Sequence, residues 1–122
     1  MPITNEYRGE FIVTRMTGLV ALPELLAHAE EIAGIESSLP VTPYRIAHLA
    51  SDLVGELSFV ELHAFAAKRG QARLKNPVKS AVVAEGAAQY GFARMFQTLN
   101  NNPDIRVEIF QAEAPALAWL RE

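Results

Sequence analysis

Hydrophobic and polar positions along this chain repeat with two different periods. The clearest is helical: Phe92, Met95, Phe96 and Leu99 fall at i, i+3, i+4 and i+7, one face of a 3.6-residue turn. That spacing predicts a helix over Ala87–Leu99, entered through Glu85-Gly86 and left through the polar turn Asn100–Asp104. A β-branched apolar run, Ser80–Ala84, precedes it. After it Ile105, Val107 and Ile109 alternate with Arg106, Glu108 and Phe110, the two-residue period of a strand. Strand, helix and strand in about thirty residues predict a right-handed crossover between parallel strands.

The remaining elements follow from the same two periods. Ile3–Tyr7 and Phe11–Thr17 read as strands joined through Arg8-Gly9-Glu10, an N-terminal hairpin ended by Gly18. Pro23 suits a first helical position, and Leu22, Leu25, Leu26, Ala29, Ile32 and Ala33 stripe a helix over Pro23–Ala33, with Gly34 as its stop. Glu36 to Pro43 reads as a loop broken by two prolines. Tyr44–Leu49 is a central strand and Asp52–Glu56 a turn. Ser58 followed by Glu61 is a capping box, with Leu57 and Leu62 as its hydrophobic staple. The helix it opens carries Leu62, Phe65 and Ala66 on one side and reaches Gly70. Asn76-Pro77 breaks the chain before the next strand. Pro115 opens a short helix, Ala116–Arg121, with Leu117 and Leu120 in step. Trp119 lies off that spacing, either closing over the sheet's end or exposed. The order β-β-α-β-α-β-α-β-α predicts a single α/β domain over residues 1–122: a mixed sheet of about five strands with four helices.

Composition narrows the function classes. Half of the residues are hydrophobic and a fifth are charged, an ordinary profile for a soluble domain. The chain has no cysteine, which excludes disulfides and thiolate metal sites and fits a reducing cytoplasm. No apolar run approaches the ~20 residues of a membrane span, and Met1 to Glu6 lacks the basic and apolar regions of a signal peptide. A net charge of −3 argues against nucleic acid as a partner. The charge is segregated: Leu22 to Glu61 carries seven acids and one base, Arg45, whereas Lys68 to Lys79 carries five bases and no acid. Two solvated faces explain this; so does an acidic patch meeting a basic patch on a partner or second copy.

Three stretches carry a family resemblance. They are Ser80-Ala-Val-Val-Ala-Glu-Gly-Ala-Ala-Gln-Tyr-Gly-Phe-Ala-Arg-Met-Phe96, Arg106-Val-Glu-Ile-Phe110 and Pro115-Ala-Leu-Ala-Trp-Leu-Arg121. With the element order, they resemble the SpoIIAA-like, or STAS-domain, proteins, the fold of bacterial anti-sigma-factor antagonists. The resemblance implies a small regulatory or protein-interaction module. In signalling members a serine opening the second helix, within Asp-Ser-Ser-Gly, is phosphorylated by a partner kinase. Ser58 stands at the matching place, as a regulatory candidate, in the setting Glu56-Leu-Ser-Phe-Val60, without the Asp, the second Ser or the Gly.

Few residues point to chemistry. Glu85 and Gly86 follow a strand and open a helix, where ligands often bind in α/β sheets. Tyr90 and Arg94, at i and i+4 on that helix, could hold an anionic head group, so Glu85, Gly86, Tyr90 and Arg94 form the ligand-binding candidate. Gly86 and Gly91 lack the Lys-Ser/Thr of a phosphate loop, and close packing of the helix on the sheet is the simplest reason for Gly91. His28, His48 and His63 lie on separate elements without metal-ligand spacing: His28 at the edge of a helix face, His48 in the central strand, His63 on a helix surface. The stripe Phe92, Met95, Phe96 and Leu99 reads as core. No catalytic or metal constellation is visible, so neither an enzyme nor a cofactor is expected. The expected partner is a protein, a second copy forming a homodimer included; the alternative is a small-ligand or lipid-binding domain with a crevice near Tyr90 and Arg94.

Overall fold

The computed structural model describes residues 2–55 and 57–122. Met1, first residue of the signal-peptide reading, and Glu56, last residue of the expected 52–56 turn, lie outside the described residues. Strands β1 (Ile3–Tyr7) and β2 (Phe11–Met16) form the expected hairpin, turned at Gly9, whose φ of 82° suits a residue without a Cβ. Next come β3 (Leu19–Val20), α1 (Leu22–Ser38), β4 (Tyr44–Leu49), β5 (Val54–Gly55), α2 (Phe59–Gly70), β6 (Val78–Ala84), α3 (Ala87–Leu99), β7 (Ile105–Phe110) and α4 (Glu113–Leu120). The main sheet has the order β1-β2-β4-β6-β7, with β1 antiparallel to β2 and the other pairs parallel. This is the mixed five-stranded sheet with four helices that the sequence predicts.

The parallel strands are added in one direction, so right-handed crossovers place α1, α2 and α3 on the same face. The main core lies under them, around Leu25, Leu62, Phe65, Val82 and Ala93. A smaller core on the opposite face joins Phe11, Ile46, Ala81 and Val83 to α4. Arg121 holds the end of α4 to the hairpin through two hydrogen bonds to Glu10, at 3.0 and 3.1 Å. That contact lowers the pKa of Glu10 and raises that of Arg121.

Several local expectations change. α1 does not stop at Gly34 but runs through it to Ser38. A glycine inside a helix costs only about 1 kcal/mol, and tertiary contacts hold the extra turn. Glu36 pairs with Arg69, and the Lys75 ammonium donates to the carbonyls of Glu36, Ser37 and Leu39 at the helix end. The buried face of α1 is therefore Leu25, His28, Ala29, Ile32 and Glu36, while Ala33 is exposed and Leu26 half-buried. Val54 and Gly55, expected in a turn, instead pair as β5 with β3 in a separate two-stranded parallel sheet. The α3 stripe is not all core: Phe92, Phe96 and Leu99 are half-buried and Met95 points outward, because α3 lies at the edge of the helical layer. Gly91 is exposed, and a methyl group added there would meet nothing within 4 Å, so it does not serve close packing on the sheet. In α4 the buried residues are Ala116, Trp119 and Leu120, not Leu117 and Leu120. Trp119 is buried, its ring tilted against that of Phe110.

The two segregated stretches meet within the chain at two ion pairs. Lys68 bonds to Glu30 across α1 and α2 at 3.0 Å. Arg69, on the buried stripe of α2 with Leu62 and Phe65, forms a bidentate pair with Glu36 at 3.2 and 3.3 Å. The reading of two solvated faces thus fails for Glu36 and Arg69, and also for Arg45, which is buried in the sheet.

Candidate functional site

The sequence candidates separate into two places. The first is a groove along the outer side of α3. Ser58 caps α2: its hydroxyl accepts from the Glu61 N–H at 3.2 Å, and the Glu61 carboxylate accepts from the Ser58 N–H at 3.1 Å. This is the predicted capping box, a reciprocal arrangement worth about 1 kcal/mol. The cap turns Phe59 and Val60 outward in the first helical turn, where they are 61% and 75% exposed. Phe59 faces Tyr90, Arg94 and Met95 across a groove of about 270 Å³ floored at Gly91. Met95 also borders a neighbouring hollow of about 300 Å³, lined by Val54, Leu57 and Phe92. Tyr90 and Arg94 therefore share one site, and that site is mainly apolar. The Arg94 guanidinium donates to Gln97, a neutral partner.

Gly86 caps α3 without a side chain, and its carbonyl accepts from the Tyr90 N–H at 2.9 Å. Its missing Cβ matters, because a methyl there would lie 2.1 Å from Gln89 Oε1. Gln89 is buried and donates to the carbonyls of Ser51 and Leu53, tying α3 to the β4–β5 connection. Gly86 therefore makes room for an anchor that the apolar stripe did not reveal.

Glu85 belongs to the second place, a crevice of about 170 Å³ at the carboxyl ends of β2, β4 and β6, lined also by Arg15, Thr17 and His48. The strand order does not reverse here, so the crevice lacks the switch point at which α/β sheets usually bind ligands. His48 is half-buried; its Nε2 lies 3.6 Å from Glu113 Oε1 and has no hydrogen-bond partner among the described residues. Burial foremost, then the Arg15 charge, lowers its pKa, with Glu113 opposing. His63 is exposed on α2 near the Phe59 ring.

A row of polar groups that periodicity alone had passed over lies under the helices. His28 is buried, not at a helix edge. Arg45 Nη2 lies 3.4 Å from His28 Nε2. Because a guanidinium only donates, Nε2 accepts, and the proton sits on Nδ1, which donates to Asn5 Oδ1 at 2.8 Å. Asn5 Oδ1 also accepts from Thr14, and Asn5 Nδ2 donates to Glu31 at the surface. Burial, then the charges of Arg45 and Arg69, hold the His28 pKa well below its usual value.

The sign of the pH effect follows. Below about pH 6.5 the unfolded chain protonates residue 28 while the folded chain does not. Stability is complete above that pH and falls as pH drops below it, by up to about 1.4 kcal/mol per pH unit from this residue. Urea unfolding at pH 7.5, 6.0 and 5.0 will show this slope, and His28→Gln will flatten it. His48 acts in the same direction, so His48→Gln is the control; a slope unchanged in His28→Gln would place the acid sensitivity elsewhere.

No family model matches the chain, and no curated protein matches it significantly in sequence. Among solved structures it is similar to an uncharacterized protein of the DUF3478 family with a SpoIIAA-like fold, from Shewanella loihica PV-4. The two share 15% sequence identity with a TM-score of 0.62, over 97% of this chain and 91% of the other. The likeness establishes the fold: the chain adopts the SpoIIAA-like α/β architecture that its sequence resembles. Among the described residues no helix is long and apolar enough to cross a membrane.

Proposed function

We propose that this chain is a non-enzymatic regulatory or protein-interaction module, akin to anti-sigma-factor antagonists. Its docking face is the groove between the first turn of α2 and the outer side of α3. The observation that carries this reading is the group of outward apolar side chains lining one groove, Phe59, Tyr90 and Met95, beside a capped helix start. Exposed apolar surface gathered in one place marks interaction sites more often than singly scattered residues do. Ser58 stands next to Phe59, so a modification there would alter the same face. A phosphate on Ser58 would gain the N–H groups of the helix start but meet the Glu61 carboxylate, and so would open the capping box.

The test is native mass spectrometry of the protein purified from its own host, alongside the double variant Phe59→Asp, Met95→Asp. Both positions are exposed, so each change is expected to shift stability by no more than about 0.5 kcal/mol. A protein partner, or a second copy, retained by wild type and lost from the variant supports the reading. A partner retained equally by both rules out this groove. The alternative, a small-ligand site, draws on the same hollow beside Tyr90 and Arg94; a small bound mass lost from Arg94→Met would favour it.

A further inference from the structure

A cavity of about 40 Å³ lies between the sheet and helices α1, α2 and α3. Most of its wall is apolar, with Leu25, Phe65 and Phe96 among the lining side chains. Arg45, His28 and Ser80 break that wall. Arg45 and Ser80 are register partners on β4 and β6, so their side chains stand side by side on the helix-covered face. Arg45 is 7% exposed. Its guanidinium has five N–H donors, yet among the described residues its one hydrogen bond is the long contact to His28, and its Nε is buried without a partner.

The local charges do not balance. Arg45 and Arg69 are cationic, and both oxygens of Glu36 are taken by Arg69. His28 is neutral in the tautomer its contacts require. Among the described residues one positive charge therefore stays buried with no directly bonded counter-ion, an arrangement that proteins ordinarily relieve by pairing. Burial foremost, and then the Arg69 charge, lower the Arg45 pKa to about 9, with Glu36 opposing. A guanidinium stays charged at neutral pH, so that charge is held inside the folded chain.

We propose that this cavity binds one small monovalent anion, of chloride or formate size, held by the Arg45 guanidinium and the Ser80 hydroxyl, which both line it. A water needs roughly 10–15 Å³ by this measure, so the 40 Å³ has room for one such ion. The apolar wall favours weakly hydrated anions over strongly hydrated ones. The site is independent of the α2–α3 groove and of what docks there.

Thermal unfolding of the full chain at fixed ionic strength tests this, with sodium gluconate, whose anion is too large to enter, replaced stepwise by sodium chloride, bromide or formate. A saturating rise in Tm is expected, of roughly 5–10 °C at a hundredfold excess over Kd, and Arg45→Met should abolish it. A rise that does not saturate, or one equal in Arg45→Met, overturns the proposal. Bromide-soaked crystals of the wild type give a test that does not depend on the variant folding. An anomalous peak between the Arg45 guanidinium and Ser80 supports the site, and a cavity holding only water overturns it.

Discussion

Glu36→Leu is expected to destabilise the chain by about 3–5 kcal/mol, the range for removing one partner of a buried ion pair. Glu36 and Arg69 are both buried, and the pair is bidentate. Without the carboxylate, the Arg69 guanidinium stays in the interior with its hydrogen bonds unmade, and Arg45 loses the opposing charge of Glu36. Whole domains of this size are stable by only ~5–15 kcal/mol, so this one change removes a large share. The double variant Glu36→Leu, Arg69→Met should recover most of the loss, because well-packed apolar replacements of buried pairs are often neutral or stabilising. Urea midpoints for the single and double variants decide it. A loss below 1 kcal/mol for Glu36→Leu would mean that the last turn of α1 does not place the carboxylate in the interior.

Trp119→Ala is expected to cost a comparable ~3–5 kcal/mol. The ring packs 5.7 Å from that of Phe110, with the Lys79 ammonium 5.1 Å and the Arg106 guanidinium 5.7 Å from its centre. Lys79 also donates to the Trp119 carbonyl at 2.8 Å. Two cations over one ring add to its area burial. The smaller core relies on the short helix α4, so losing its largest side chain loosens the whole helix. The chain has one tryptophan, which makes its fluorescence a direct report on α4. Wild type should emit at short wavelength and shift to the red on unfolding, and Trp119→Phe should fall between wild type and Trp119→Ala in thermal stability. Emission already at the solvent-exposed wavelength in the native protein would refute the docked position.

The groove and the buried cluster differ in how far they could be read in advance. Tyr90 and Arg94 are four residues apart on one helix, so their neighbourhood is a local property and the sequence revealed it. That Phe59 and Met95 complete the same groove depends on how α2 packs beside α3. Glu85 lies next to Gly86 in the chain but ends in a different crevice, because the strand end and the helix start face different ways. A signal for the buried pair was present: continued past Gly34, the α1 period places Glu36 in line with Leu25 and Ile32, and Arg69 lies at i+7 from Leu62. Opposite charges on the buried stripes of two helices would have pointed to each other.

What the sequence determined by itself is everything set by neighbours within about one turn or one hairpin. This includes the bounds of α3, the Ser58–Glu61 capping box, the N-terminal hairpin and the alternation that makes a mixed sheet. Tertiary structure alone decided the contacts between distant residues. It carried α1 through a glycine, folded Val54 and Gly55 into a second small sheet, buried Trp119, and placed Arg45 beside His28 and Ser80. Periodicity records which face of an element is apolar, whereas the pairing of a buried charge depends on which other element comes to lie against it.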